Sequence, residues 1–198
     1  MGLVHRKAQP DHEQPAASVD DLLRQLDDPD PEARRVAALG LGGVAAAVGP
    51  LIERVANEED PLVRDAMLTT LAVQDTAEVV EGLATHLSSE DASLRTAAAE
   101  ALATMPVSVP AIVPRLLEDP DHDVRVMTAM VLADLPSPES TTWLAAMIRN
   151  DPNPNVVAAA IDALLPSLGP EHTELLERVV RRFPTDPFLR FTVEAALR

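Results

Sequence analysis

Apolar residues return along the chain in two alternating sets. The first set is short: Val19, Leu22, Leu23 and Leu26; Leu51, Ile52 and Val55; Val79, Val80, Leu83 and Leu87; Ile112, Val113, Leu116 and Leu117; Trp143, Leu144, Met147 and Ile148; Leu175, Leu176, Val179 and Val180. Spacings dominated by one, three and four residues put each group on one face of a helix. An acid-rich turn follows, and then a second apolar run that opens on Ala33, Val63, Leu94, Val124, Val156 or Leu189 and closes on Leu41, Leu71, Leu102, Leu132, Leu164 or Leu197. Breakers such as Gly42 with Gly43, Gly49 with Pro50, Pro106, Pro136 with Pro138, and Gly169 with Pro170 separate the units. The pattern predicts helix, acidic turn, helix and loop, repeated six times.

The register of the repeat is set by a five-residue word: DPEAR at 30–34, DPLVR at 60–64, DASLR at 91–95, DHDVR at 121–125, NPNVV at 153–157 and DPFLR at 186–190. Its last positions are 30, 31, 30, 32 and 33 residues apart, and a leucine follows each by seven. Every element of the word suits a helix start. The Asp, or Asn153, caps the free amides of the first turn. Pro31, Pro61, Pro154 and Pro187 take the first helical position, where a missing N–H costs nothing. The Arg, four residues after the Asp, can pair within its helix or reach the next repeat's turn. Asp30, Arg34, Asp60, Arg64, Asp91, Arg95, Asp121, Arg125, Asp186 and Arg190 are therefore predicted to be caps and ladder residues. Asn153 and Val157 interrupt that ladder in the fifth unit.

Neither helix of a unit can bury its apolar stripe alone, so the hairpins must stack into an all-α solenoid, right-handed or gently curved, with one continuous core. The expected units are 18–43, 44–74, 75–105, 106–136, 137–168 and 169–198, preceded by a flexible leader over 1–17. One stretch tempts a different reading. In EDPDHDVRVM (118–127), Asp121, His122 and Asp123 resemble a ligand set, but in register Asp121 is the fourth cap and His122 stands where four units have proline.

Composition narrows the function classes. The chain has 198 residues, 46% hydrophobic and 2% aromatic, with no cysteine, so thiolate chemistry and disulfides are excluded. Thirty-two acids against sixteen Lys and Arg give a net charge of −16. That charge and the scarcity of stacking aromatics argue against nucleic acid and anionic membranes as partners. No apolar run is long enough to span a bilayer and 1–10 lacks a signal-peptide core, so a cytoplasmic location is expected.

The recurring DPxVR-type words, the alanine-rich inner runs (AALGLGG, TAAAEALA, VAAAIDALL) and the closing leucine resemble the HEAT-like repeats, in the short form of phycobilin lyase subunits and bacterial adaptors. The resemblance covers about 18–198 and implies an α-solenoid whose second helices line a concave surface. HEAT-like deoxyhypusine hydroxylases hold iron on His-Glu pairs. The matching slots here read Arg35-Val36, Asp65-Ala66, Thr96-Ala97 and Val126-Met127, so no metal or catalytic residue is assigned, no cofactor is expected, and a metal enzyme is disfavoured. A phycobilin lyase-like role in attaching a chromophore or cofactor is the alternative, although one Trp and three Phe make a poor chromophore cleft.

The leading expectation is a non-catalytic scaffold or adaptor. Its candidate binding face is the pair of second-helix columns left over by the inward positions: Arg35, Asp65, Thr96, Val126 and Phe191, with Thr69, Glu100, Met130 and Asp162. Carboxylates beside Val126 and Met130 would suit a protein partner with a basic surface around an apolar anchor. The acids of the turns are expected to line one edge as caps, and the excess at Asp27, Asp28, Glu58, Glu59, Glu118 and Asp119 to keep the surface soluble. Phe183, Phe188 and Phe191 crowd the last unit, and filling its core is favoured over marking a docking end.

Overall fold

The computed structural model describes residues 17–197; of the expected leader only Ala17 falls within them. Twelve α-helices form six antiparallel pairs among the described residues. The first helices are α1 (Val19–Gln25), α3 (Val48–Val55), α5 (Ala77–Ala84), α7 (Val109–Leu117), α9 (Ser140–Asn150) and α11 (Thr173–Arg182). The second helices are α2 (Pro31–Gly40), α4 (Pro61–Ala72), α6 (Ala92–Ala103), α8 (His122–Asp134), α10 (Pro154–Leu164) and α12 (Pro187–Ala196).

Every second helix starts on the predicted cap. The side chains of Asp30, Asp60, Asp91, Asp121, Asn153 and Asp186 each accept a hydrogen bond from a first-turn amide. The helices then stack in order, α2 on α4, α4 on α6, and so on to α12. Each closing leucine is covered by this stacking: Leu41, Leu71, Leu102, Leu132 and Leu164 are fully buried. Burial of a leucine contributes roughly 1.5–3 kcal/mol, so the column alone is a large part of what holds the units together. The core is a single cluster running from Leu26 to Val193.

The column fails at its ends. Leu197, the sixth closing leucine, is 43% exposed, and at the other end Val19 and Val36 are exposed although their equivalents inside the stack are covered. The three phenylalanines divide. Phe183 packs against the core, while Phe188 and Phe191 are 59% and 66% exposed. The expectation that all three fill the terminal core is thus corrected: Phe188 and Phe191 lie on the exposed side of α12, while Leu189 in the same first turn is buried.

A second line of contacts ties the opposite edge of the solenoid. Asp75, with φ at +39°, accepts from the amides of Val107 and Ser108 at 2.8 and 2.9 Å, and the Ser108 hydroxyl donates to its carbonyl at 2.7 Å. Asp tolerates that left-handed backbone better than most residues, and the bonds clasp the loop after α4 to the loop after α6.

Candidate protein-binding face

The caps and the acids two residues before them are consumed by the fold. Two residues before each of the first five caps stands a side-chain acceptor: Asp28, Glu58, Ser89, Asp119 and Asp151. Each takes the backbone amide of the cap residue itself, at 2.9–3.2 Å. The word's arginine then reaches back over the turn to the carbonyl of that same residue, as Arg34 does to Asp28, Arg64 to Glu58, Arg95 to Ser89 and Arg125 to Asp119; Arg190 does so to Pro184. A positive group is thereby fixed over a turn that presents several carbonyls and carboxylates.

The ladder between units differs from the predicted one. Arg34 makes a two-pronged pair with Glu58 (2.9 and 2.8 Å), and Arg125 makes one with Asp151 (2.7 and 3.2 Å). Neither acid is a cap; both stand two residues earlier. Only Arg64 approaches the next cap, Asp91, at 3.4 Å, with the Ser93 hydroxyl at 2.9 Å. No cap pairs with the arginine of its own helix among the described residues, because the cap oxygens are turned to the first-turn amides. Glu58 is 1% exposed, which corrects its expected role as a solubilising acid. Burial pushes its carboxyl up, but Arg34, the Asp60 amide and Arg54 together outweigh this and hold it below the ordinary range.

The predicted interruption at the fifth unit is repaired from outside. Val157 is buried, and the carbonyl its arginine would have met, that of Asp151, accepts instead from Arg182 of α11 at 2.6 Å. Arg182 also donates to the Arg149 carbonyl and lies 4.6 Å over the Phe183 ring. Burial lowers its pKa, partly offset by Asp151.

The second-helix face is different in kind. Asp65, Thr69, Glu100, Met130, Asp162 and Phe191 are exposed, while Arg35, Thr96 and Val126 are partly covered by their neighbours. Arg35 is already paired with Glu32 at 2.7 Å. Asp65, Glu100 and Asp162 make no ion pair or side-chain hydrogen bond within the described residues, in contrast to Asp28, Glu58, Asp119 and Asp151 of the turns. Asp65, Thr69 and Glu100 come together around a trough of about 400 Å³ between α4 and α6. Its floor is Leu68, Ala72, Ala97 and Ala101, and Val73 and Thr104 close one end. The columns located the rim; the floor was missed, although the alanines of TAAAEALA were the signal, since small side chains leave space between helices that approach within about 8–10 Å. A separate hollow of about 470 Å³ lies on the turn edge, between Leu117, Asp119, Arg125, Met147 and Asp151. It surrounds the buried Arg125–Asp151 pair. His122 is exposed beside Asp121 and Asp123, on the turn edge and apart from both hollows, and no group of three or more His, Asp or Glu among the described residues is arranged to hold a metal ion.

Stacked helical hairpins joined by a turn ladder define an α-solenoid repeat protein. The sequence pattern of the HEAT repeats matches residues 19–103 and 109–198, and the chain belongs to that family. None of the curated proteins matches it. Among solved structures, the complex of CpcE and CpcF of phycocyanin lyase from Nostoc sp. PCC7120 is similar at 22% identity and a TM-score of 0.46, over 97% of this chain and 80% of that one. The archaeal HEAT-like repeats protein from Thermococcus onnurineus NA1 is similar at 16% identity and a TM-score of 0.46, over 90% and 85%. Human deoxyhypusine hydroxylase is similar at 17% identity and a TM-score of 0.40, over 90% and 83%. The chain is a HEAT-repeat scaffold, and among the described residues no helix is long and apolar enough to cross a membrane.

Proposed function

We propose that this scaffold is a non-catalytic adaptor that binds a protein partner on the face of its second helices. The supporting observation is the trough between α4 and α6, where an apolar floor is flanked by Asp65 and Glu100. Neither carboxylate is spent on a cap, a turn amide or the ladder among the described residues. A partner segment with an apolar side chain between basic residues would bury the former on Leu68 and Ala101 and pair the latter with the rim.

The test uses two charge-matched variants of the whole chain. Glu100→Lys with Asp162→Lys and Met130→Ala alters the second-helix face, and Glu59→Lys with Glu118→Lys alters the turn edge at exposed acids. Proteins captured by the unaltered chain and by the edge variant, but lost from the face variant at equal helix content by circular dichroism, are the expected result. Loss from the edge variant instead, or equal capture by both, would overturn the assignment.

A further inference from the structure

Six units meet at five joints, and two of these are built alike. At the first joint Arg34 grips Glu58 with two prongs, and at the fourth Arg125 grips Asp151 in the same way. Counted back from the caps, Asp27 corresponds to Glu118, Glu58 to Asp151, Glu53 to Ala146 and Arg54 to Met147. The fourth joint therefore carries one cation fewer. Arg54 stands between Asp27 and Glu58 at 3.8 and 3.7 Å, beside Arg34, whereas at the fourth joint Met147 occupies its position. We propose that the hollow beside Met147 is a binding site for a small alkylguanidinium compound. Its head lies between the Glu118 and Asp151 carboxylates, as that of Arg54 lies between Asp27 and Glu58, and its alkyl stem runs along Leu117 and Met147.

The space and its chemistry follow from the differences between the two joints. With Ala146 and Met147 in place of Glu53 and Arg54, the hollow measures about 470 Å³ against about 280 Å³ at the first joint. That lies within the usual range of small-molecule sites, ~300–1,000 Å³. Asp151 is 8% exposed and accepts three bonds, two from Arg125 and one from the Asn153 amide. Glu58 carries the same load, from Arg34 and the Asp60 amide, with Arg54 still beside it. A carboxylate has about four lone-pair directions, so one remains for a further donor. Arg182 meets the Asp151 carbonyl from the next joint and does not line the hollow. A guanidinium suits the two acids better than an ammonium, because its planar fork offers each of them separate N–H groups and it sheds water more readily. Register and enclosure select this place; a carboxylate that is merely exposed and unpaired selects nothing. The site lies on the turn edge, apart from the trough between α4 and α6, and its occupancy does not depend on the reading of the second-helix face.

The test follows the methionine methyl signals of the intact chain by NMR as n-butylguanidinium chloride is added at constant ionic strength. The Met147 signal, assigned by its loss in Met147→Leu, should shift saturably, and that of Met130 on the second-helix face should stay in place. n-Butylammonium should bind about tenfold more weakly, since it lacks the fork. Glu118→Gln, at an exposed position, should weaken the guanidinium about fivefold, as the loss of one solvent-facing ion pair does. Met147→Arg, which gives the fourth joint the cation of the first, should abolish binding. Arg54→Met with Glu53→Ala makes the converse change and should add a second site, seen as a saturable shift of the extra methyl signal, so the outcome does not hang on one variant's folding. Absence of a saturable Met147 shift, equal binding of the ammonium, or unchanged binding in Glu118→Gln would each overturn the proposal. Much tighter binding of an arginine within a capped glycine-flanked tripeptide would overturn the small-molecule source and assign the hollow to a partner chain.

Discussion

One carboxylate can serve three bonds when it stands two residues before a helix cap. Glu58 takes the Asp60 amide and both prongs of Arg34, and Arg54 lies 3.7 Å away. Glu58→Ala would leave a cap amide unpaired and Arg34 without its counter-charge. The expected cost is about 2 kcal/mol, less than the ~3–5 of a deeply buried pair because Arg34 reaches the solvent edge. Chemical denaturation against the unaltered chain checks it. The same residue carries a pH dependence with a definite sign. Its folded pKa is depressed, so its stabilisation is fully present above the unfolded value of about 4.3 and is lost as pH falls through the lower folded value. Glu58→Gln should flatten that acid limb and leave the region above pH ~5 unsloped by this group. The sequence marked the caps because Asp, Pro and Arg recur at fixed places. It hid the acceptor two residues earlier because that duty is met by Asp, Glu or Ser in turn, so no single letter repeats.

Helices that break the pattern show how neighbours substitute for one another. In α10 the arginine slot holds Val157, which is buried, and the Asp151 carbonyl is served by Arg182 from α11. A hydrogen bond from a charged donor is worth about 1.5–3 kcal/mol when buried, and the partial exposure of Arg182 lowers this to about 1. Arg182→Ala should therefore destabilise the chain by roughly that amount and raise hydrogen exchange selectively in α11 and α12. Arg181→Ala, at an exposed position next door, should stay within about 0.5 kcal/mol. Equal effects would show that the strap across the gap is not holding these helices. The gap was legible in the sequence and its repair was not: Arg182 lies in the neighbouring unit, at a position the word does not mark. Asp75 is a parallel case, since its clasp on Val107 and Ser108 depends on a left-handed backbone that no other non-glycine residue adopts among the described residues.

Across the whole molecule, stability follows from neighbours alone, because each unit touches only the units beside it. The closing leucines measure this. Leu102 lies in the third unit, enclosed by helices before and after, and is fully buried; Leu197 occupies the same place in the word and is 43% exposed. Sequence assigned the two identical roles, correctly as to helix face, and could not weigh them, since burial depends on what stacks above a residue and not on its place in the repeat. The second-helix columns share that limit: position in the word located Asp65, Thr69 and Glu100, while the trough between them arose from the alanines of the facing helices. Leu102→Ala should open a cavity in a site that cannot collapse from either side and cost about 3 kcal/mol, within the ~2–5 of buried leucine truncations. Leu197→Ala removes atoms already half in water and should cost under about 1 kcal/mol. Urea denaturation of both variants decides between a core whose strength is set by stacking and one set by the word. In the first case the midpoint falls steeply for Leu102→Ala and barely for Leu197→Ala. Equal falls would mean that Leu197 is covered in solution.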